Sequence, residues 1–376
     1  MSQSHPMMAE ANHDERAEQL FVRDFKVFMQ GTIDPIERRI VETVATDIKG
    51  RRGDLPDVSD MRDTLMDIDV FRSWVSYKRV SQEMLWDAIG TSVDRQLDDL
   101  DTTAAAVEPK GTLTLDPDFA APRYLDALDI HMMPGGYARD DGGLRQGAVM
   151  DRGGAVYMLG RNGGSMNDAR GHTVFQHLFD RYPDFEPKRI LELGCGVGSS
   201  LVPAAEYFPD AEIYGVDVGA SMLRYAHARA EALGAGIHFA QQNAEKTTFE
   251  DESFDLVFSA VLIHETSQVG VRNIMRECHR LLKPGGLVIH LEVPSRVAEM
   301  GVWGRVIGDF EALYNNEPFW RGAQEIDLAA LMRDAGFAEP LLGHQTVSNH
   351  AERGVHTFGP ESLGVFRSWF VASARK

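Results

Sequence analysis

Residues 190–200 read ILELGCGVGSS, a short apolar run that leads into glycines at positions 194, 196 and 198. The apolar run is typical of a buried strand, and glycine lets the following turn approach a ligand without a Cβ in the way. Asp217 ends the next apolar run, EIYGVD, 19 positions after Gly198. This spacing predicts a nucleoside-binding unit in which the acid accepts hydrogen bonds from ribose hydroxyls.

The residues around the glycines indicate which nucleoside fits. A dinucleotide fingerprint has its third glycine where this chain has Ser199, and Glu192 stands just before the turn. A carboxylate there would repel a pyrophosphate but would suit a cationic group. The sequence therefore favours a positively charged nucleoside over NAD.

From residue 188 onward, strand-like runs alternate with amphipathic helical stretches. The strand-like runs are ILEL (190–193), EIYGVD (212–217), IHFAQQ (237–242), FDLVFS (254–259) and LVIHLEV (287–293). This alternation predicts an α/β fold with a doubly wound, mainly parallel, Rossmann-like sheet. The tail, from DLAALMRDAGF onward, predicts one more helix and two late strands.

The chain before residue 188 has a different character. Helical spacing of apolar residues predicts a helical N-terminal extension, followed by an irregular segment near 98–122. Residues 134–171 contain 11 glycines, a density that predicts extended loop, either a domain connection or a flap over a ligand. We therefore divide the chain into a helical region (1–120) for substrate capping, dimerisation or both, a glycine-rich linker or flap (121–187) and a cofactor-binding domain (188–376).

Length, charge and cysteine content limit the class of protein. The 376 residues suffice for two domains, and the net charge of −19 argues against nucleic acid or anionic membranes as partners. Two cysteines, Cys195 and Cys278, are too few for a disulfide framework. No signal peptide or transmembrane run is recognisable. We expect a cytoplasmic protein, with a homodimer through the N-terminal helices as one possibility.

Four ordered motifs resemble the class I S-adenosylmethionine-dependent methyltransferases, in particular the small-molecule branch of ubiquinone and menaquinone type. The motifs are LELGCGVGSS, GVDVGASML, QQNAEKTTFEDESFDLVFSAVLIHE and LLKPGGLVIHLEVP, which together cover about 190–293. The resemblance implies S-adenosylmethionine as cofactor and a small-molecule methyl acceptor. Residues 1–187 carry no such resemblance.

The resemblance also implies roles for individual residues. The expected cofactor contacts are Glu192, Gly194 and Gly196 around the methionine part, Asp217 on the ribose, Val218 and Met222 beside the adenine, Asn243 and Ala244 at its edge, and Ser259 at a strand end. Cys195 and Gly198 belong to the same turn, and Cys195 is best explained as a small space-filling residue. Asn243 departs from the aspartate that is common in the family, but an amide can still donate and accept.

Methyl transfer depends mainly on alignment, but a hydroxyl acceptor gains from a general base. His264, a few residues past the fourth of these runs, is the leading candidate, with Glu265 to orient it; packing beside the cofactor is the alternative role for His264. Weaker candidates are His290 and Glu292 on the fifth run and His131, Tyr137, Tyr157 and Arg161 in the flap. We count Tyr157 among the possible cofactor contacts.

No metal site is expected, because His344, His350 and His356 do not have a metal-binding spacing. The aromatic residues at 303–320 are predicted to be core or part of an acceptor pocket. O-methylation is favoured over N- or C-methylation. A nicotinamide oxidoreductase and a non-catalytic cofactor-binding scaffold remain as alternatives.

Overall fold

The computed structural model describes residues 4–54, 56–157, 161–293, 301–364 and 367–376. Within these ranges nine strands form one sheet in the order β1-β4-β3-β2-β5-β6-β9-β7-β8. The strands are β1 (Thr112–Thr114), β2 (Arg189–Leu193), β3 (Glu212–Asp217), β4 (His238–Gln241), β5 (Phe254–Ala260), β6 (Leu282–Glu292), β7 (Ala338–Thr346), β8 (Phe358–Gly359) and β9 (Ser368–Arg375). Strands β1 to β6 pair in parallel, whereas β9 is antiparallel to β6 and β7, and β8 is antiparallel to β7.

Helices precede the sheet in sequence and also connect its strands. They are α1 (His13–Phe28), α2 (Asp34–Arg52), α3 (Val58–Met66), α4 (Asp69–Asp94), α5 (Leu97–Ala105), α6 (Arg123–Asp126), α7 (Arg145–Tyr157), α8 (Ala169–Arg181), α9 (Val202–Tyr207), α10 (Ala220–Ala232), α11 (Gln268–Leu281), α12 (Val302–Tyr314), α13 (Trp320–Glu325) and α14 (Leu328–Asp334). In the part of the chain that is described, no helix has the length and apolar character needed to cross a membrane.

The order of the strands reverses at β2, which has β3 on one side and β5 on the other. The chain segments that follow β2 and β5 therefore diverge and leave a crevice at the carboxyl ends of the strands. Side chains of β2 alternate between the two faces of the sheet. Ile190 packs in the same cluster as Phe175 of α8, whereas Leu191 packs with Ile274 of α11. The predicted doubly wound, mainly parallel α/β sheet with a helical N-terminal extension is confirmed.

The glycine-rich segment is the main difference from the sequence prediction. It contains the 13-residue helix α7, which packs between α4 and α10. A Cβ on Gly147 would lie 2.3 Å from the Cβ of Tyr225, and a Cβ on Gly153 would lie 2.4 Å from the Trp86 ring. The prediction of extended loop was wrong because these glycines permit close packing of helices.

The segment near 98–122 also has more structure than predicted. Residues 97–105 form α5, and β1 adds a parallel strand at the edge of the sheet beside β4. The Glu231 carboxylate of α10 accepts the backbone N–H groups of Lys110 and Gly111 at 2.7 and 2.6 Å. Residues from the predicted N-terminal region therefore complete the sheet, and the three-part division of the chain stays a prediction.

The aromatic segment after β6 packs against the N-terminal helices. The Trp74 ring of α4 lies 5.5 Å from Trp303 and 5.2 Å from Phe310, measured between ring centroids. Its Nε1 donates to Asp34 Oδ1 at 2.7 Å. Trp303 and Phe310 thus pack in the protein core, which is the first of the two roles predicted for this segment; the other was an acceptor pocket.

Candidate active site

The crevice at the carboxyl ends of β2, β3 and β5 is a cleft that encloses about 970 Å³ of space, counting its open mouth. Its floor comes from the turns that follow these strands, including the glycine turn after β2. Its walls include Tyr124 and Leu125 of α6, Tyr137, Met150 of α7 and Arg170 of α8. The segment predicted to be a linker or flap therefore covers the cleft, which fits the flap alternative.

The glycine turn is held by the acid at the end of β3. Asp217 accepts the backbone N–H of Gly196 and that of Gly219, each at 2.9 Å. Gly194 and Gly196 have φ values of +69° and +52°, which favour glycine. A Cβ on Gly196 would meet no atom within 4 Å, so the turn presents bare backbone to the open cleft. This is the surface that a flat nucleoside needs.

Glu192 lies at the base of the cleft and is almost fully buried. Its Oε2 atom has no hydrogen-bond partner in the described structure. Burial raises the pKa of Glu192 well above its usual range, although the nearby Arg170 charge opposes this shift. A ligand with a cationic group would stabilise the ionised carboxylate here. The buried Glu192 carboxylate therefore fits the charged amino end of S-adenosylmethionine.

Most of the expected cofactor residues line the cleft. Besides those above, they are Cys195, Val218, Met222, Asn243 and Ala244. The Asn243 side chain accepts the backbone N–H of Glu245 at 2.9 Å, so it also shapes the turn that would face the adenine. Tyr124 and Arg170 line the cleft too, but the sequence offers no local signal for them.

Three expected contacts lie elsewhere. Gly198 is not among the residues that line the cleft, and a Cβ on it would lie 3.0 Å from the Phe239 ring. Ser259 is fully buried, with its Oγ 2.8 Å from His290 Nδ1. Tyr157 lines a different cavity at the end of α7, beneath the Lys26 ammonium. None of the three is among the residues that line the cleft, and the cofactor role expected of each stays a prediction.

His264 follows β5 in a short 3₁₀ turn, Ile263–Glu265. Its Nδ1 lies 2.8 Å from Glu292 Oε1, and its backbone N–H donates to Glu292 Oε2 at 3.0 Å. Its other ring nitrogen, Nε2, lies 3.3 Å from Glu265 Oε1. The Trp320 ring packs 5.1 Å from the imidazole. His264 is therefore held on both sides by carboxylates, and Glu265, rather than His264, lines the cleft.

Two flap residues meet the same carboxylate. His131 Nε2 lies 2.8 Å from Glu265 Oε1, and His131 Nδ1 lies 2.9 Å from Glu317 Oε1. The Tyr137 hydroxyl donates to Glu265 Oε1 at 3.1 Å. The other flap candidate, Arg161, is exposed. The structure thus brings the flap candidates His131 and Tyr137 together with Glu265, next to the leading candidate His264.

The carboxylates dominate the electrostatics of this group. Burial alone would lower the pKa of His264, but Glu292 and Glu265 outweigh it and raise the pKa to about 10. His131 follows the same balance, because Glu317 and Glu265 raise its pKa well above the usual range despite burial. Each imidazole is therefore held between two carboxylates, and the general-base role expected of His264 stays a prediction.

A Rossmann-like sheet with a bare glycine turn and an acid at the end of the next strand defines a nucleoside-binding α/β protein. Residues 190–286 match the family model described as a methyltransferase domain. The demethylmenaquinone methyltransferase of Geobacillus kaustophilus is 34% identical over 177 residues, which cover 40% of this chain and 71% of that protein. The chain belongs to the class I S-adenosylmethionine-dependent methyltransferases, as the motifs indicated.

Other relatives share the same domain over shorter lengths. The demethylmenaquinone methyltransferase of Thermus thermophilus is 36% identical over 114 residues, covering 29% of this chain. The chain spans about half of that relative, 48% of its length. A structure of phosphoethanolamine N-methyltransferase 2 from Haemonchus contortus aligns with a TM-score of 0.39 and 19% identity, covering 51% of this chain and 44% of that one.

Proposed function

We propose that this protein transfers the methyl group of S-adenosylmethionine to a small-molecule acceptor, and that the acceptor atom is a hydroxyl oxygen. The observation that carries the proposal is the Gly196 turn, which is bare toward the cleft and tied to Asp217 beside the buried Glu192. When bound, the cofactor supplies a methyl group on a positively charged sulfur. The chain's own residues bind it, orient the acceptor and exclude water.

Each part of the cleft has a distinct task in this proposal. Asp217 accepts hydrogen bonds from the ribose hydroxyls, and Glu192 faces the cationic amino end of the cofactor. Arg170, whose Nε lacks a hydrogen-bond partner in the described structure, provides the opposite charge for a ligand carboxylate. Tyr124 and Tyr137 cover the mouth and keep water from the reacting atoms.

Glu265 is the polar group that faces the acceptor in this proposal. Its Oε1 is held by His131, His264 and Tyr137, while its buried Oε2 has no partner among the residues that the structure describes. The free oxygen accepts the hydrogen bond of the acceptor hydroxyl and so points a lone pair of that hydroxyl at the methyl group. His264 is then a positioning residue, because both of its nitrogens are already engaged by carboxylates.

The first experiment is calorimetric titration with S-adenosylmethionine, S-adenosylhomocysteine and NADH. We expect the two sulfur nucleosides to bind and NADH not to bind. Asp217→Ala should weaken binding by about 1.5 to 3 kcal/mol, the range for hydrogen bonds to a charged group. Glu212→Ala is the matched control, because Glu212 begins the same strand at the end away from the cleft. Binding of NADH alone, or equal affinities for both variants, would contradict the assigned site.

A second experiment addresses the acceptor atom. The protein is incubated with a metabolite extract and a donor that carries carbon-13 in its methyl group. The chemical shift of the transferred carbon distinguishes methylated oxygen from methylated nitrogen or carbon. We expect an O-methyl signal. An N- or C-methyl signal would support methyl transfer but would contradict a hydroxyl oxygen as the acceptor atom.

A further inference from the structure

Histidine and carboxylate side chains from distant parts of the chain converge at the acceptor end of the cleft. His131 precedes α7, His264 and Glu265 follow β5, and Glu317 follows α12. Each offers one ligand atom, and these atoms all lie within 4.8 Å of one another. We propose that this His/Glu cluster binds one divalent first-row transition-metal ion, for which Zn²⁺ is the reference.

The spacing of the cluster is close to that of a coordination shell. Around Zn²⁺, with ligand distances of about 2.0 to 2.2 Å, tetrahedral ligand atoms lie about 3.3 to 3.6 Å apart. The His264 Nε2 to Glu265 Oε1 distance is 3.3 Å, and the His131 Nε2 to Glu265 Oε1 distance is 2.8 Å. All the ligand atoms lie within 4.8 Å of one another, so side-chain rotations, with His131 using one ring nitrogen, would bring the four residues around one ion.

The charges of the cluster call for a cation. Glu265 and Glu317 are both buried, and the Oε2 atom of each has no hydrogen-bond partner in the described structure. Among the described residues, their ion-pair partners are histidines rather than lysine or arginine. Metal-bound imidazoles are neutral, so the two buried carboxylates would be left without a balancing charge unless a cation were present. A divalent ion would balance both charges, and it would take the free Glu265 Oε2 in place of the acceptor hydroxyl.

Residues around the cluster hold its side chains in place by hydrogen bonds, as residues around a metal site hold the metal ligands. Glu292 binds His264 Nδ1, which leaves Nε2 directed at the cluster, and this carboxylate–histidine pair is typical of metal-binding histidines. Asn315 donates to Glu317 Oε1 at 2.7 Å. His131 has a left-handed backbone with φ +55°, and the Trp86 indole donates to its carbonyl at 2.8 Å. Such strain persists only where the surrounding structure imposes it.

The types of ligand indicate the class of ion. Mg²⁺ and Ca²⁺ prefer sites made of oxygen atoms alone. Two imidazoles and two carboxylates instead suit Zn²⁺ and its first-row neighbours. No thiolate belongs to this cluster, since its members are two histidines and two glutamates.

The consequence for chemistry rests on the proposed function. Glu265 belongs both to the cluster and to the cleft wall, so an ion held here would meet the acceptor hydroxyl. The ion would lower the pKa of that hydroxyl, whose proton would leave to solvent. The oxygen lone pair would then form the bond to the methyl carbon as the carbon–sulfur bond breaks, and its electron pair would stay on sulfur.

The test is a titration of the chelator-treated full chain with Co²⁺, whose visible absorption reports the ligands around it. We expect one equivalent to bind, Zn²⁺ to displace it and Mg²⁺ to leave it in place. Glu317→Gln should weaken Co²⁺ binding at least about tenfold. Glu311→Gln, a nearby change of the same kind at a residue that also accepts from Asn315, should keep the affinity within about twofold.

Binding of S-adenosylhomocysteine, measured on the same samples, separates this proposal from the proposed function. If the nucleoside binds but the wild-type chain takes up no Co²⁺, the metal proposal alone is overturned. It is also overturned if Glu317→Gln and Glu311→Gln bind Co²⁺ equally. If Co²⁺ binds with the expected dependence on Glu317 but the nucleoside does not, the metal site stands and the proposed function fails. If Glu317→Gln does not fold, failure of the wild-type chain to take up Co²⁺ still overturns the metal proposal.

Discussion

His177 of α8 is a fully buried imidazole between two polar neighbours. Its Nε2 lies 2.9 Å from Ser373 Oγ, and its Nδ1 lies 3.3 Å from Gln345 Oε1. Burial lowers its pKa from 6.5 to about 4. Between these values the unfolded chain binds more protons than the folded chain, so the stability from the neutral imidazole is present above pH 6.5 and is lost as the pH falls toward 4.

We therefore expect His177→Gln to flatten the pH dependence of unfolding. Wild-type protein should lose about 2 kcal/mol between pH 7.5 and pH 5 through this group, at about 1.4 kcal/mol for each pH unit below 6.5. Urea unfolding at the two pH values measures this loss, and His356→Gln, at a largely exposed imidazole, is the control. If the unfolding free energy of His177→Gln falls with pH as steeply as that of the wild type, other groups are responsible for the pH dependence.

At the residue scale, the sequence predicts the half of the site that is local. Gly194, Gly196 and Asp217 follow from their spacing, because the turn and the strand end belong to one βαβ unit. The sequence could not predict that His131 and Glu317 lie near His264, because the three residues meet only through the packing of distant segments. The absence of a recognisable metal spacing in the sequence has the same cause.

At the scale of elements, α7 illustrates what composition does not reveal. A high glycine content predicts loop when only backbone freedom is considered. Gly147 and Gly153 instead allow α7 to approach α10 and α4 closely, and that contact depends on residues far away in the sequence. The strands of the domain were easier to predict, since a buried strand is visible in its own apolar run.

Gly153→Ala tests this explanation of α7. The added Cβ would lie 2.4 Å from the Trp86 ring, so we expect a destabilisation of about 1 to 3 kcal/mol from overpacking. Gly50→Ala is the matched control, because Gly50 is also helical, in α2, and its Cβ would meet no atom within 4 Å. That change should stabilise by about 0.5 to 1 kcal/mol. Thermal and urea unfolding of both variants should show a lower free energy of unfolding for Gly153→Ala and a higher one for Gly50→Ala. Changes of the same sign in both variants would refute the packing role of Gly153.

At the scale of the whole molecule, a buried ion network joins three parts of the chain. Asp151 of α7 contacts His5 at 3.0 Å and Arg229 of α10 at 3.3 Å, and it accepts the Tyr225 hydroxyl at 3.0 Å. Burial alone would raise the pKa of Asp151, but the Arg229 charge and the His5 hydrogen bond lower it to about 2. The N-terminal segment, the cleft wall and the nucleoside domain thus meet at one carboxylate.

Asp151→Asn should therefore destabilise the entire fold. Removal of one partner leaves the Arg229 charge buried and unbalanced, and we expect a loss of about 3 to 5 kcal/mol in the free energy of unfolding. The double variant Asp151→Asn with Arg229→Met should recover part of that loss, because it removes the stranded charge as well. Urea unfolding measures both effects. A loss below about 1 kcal/mol for the single variant would mean that the network is not a structural link.

The position of β9 has a consequence for how the chain acquires its structure during synthesis. Among the described strands β9 comes last in the sequence, yet it lies between β6 and β7 and alone joins them in the sheet. Until residues 368–375 leave the ribosome, β7 and β8 cannot join the nascent sheet, and β6 offers an unpaired edge to other chains. The partly synthesised chain is therefore exposed to aggregation through this edge until β9 emerges.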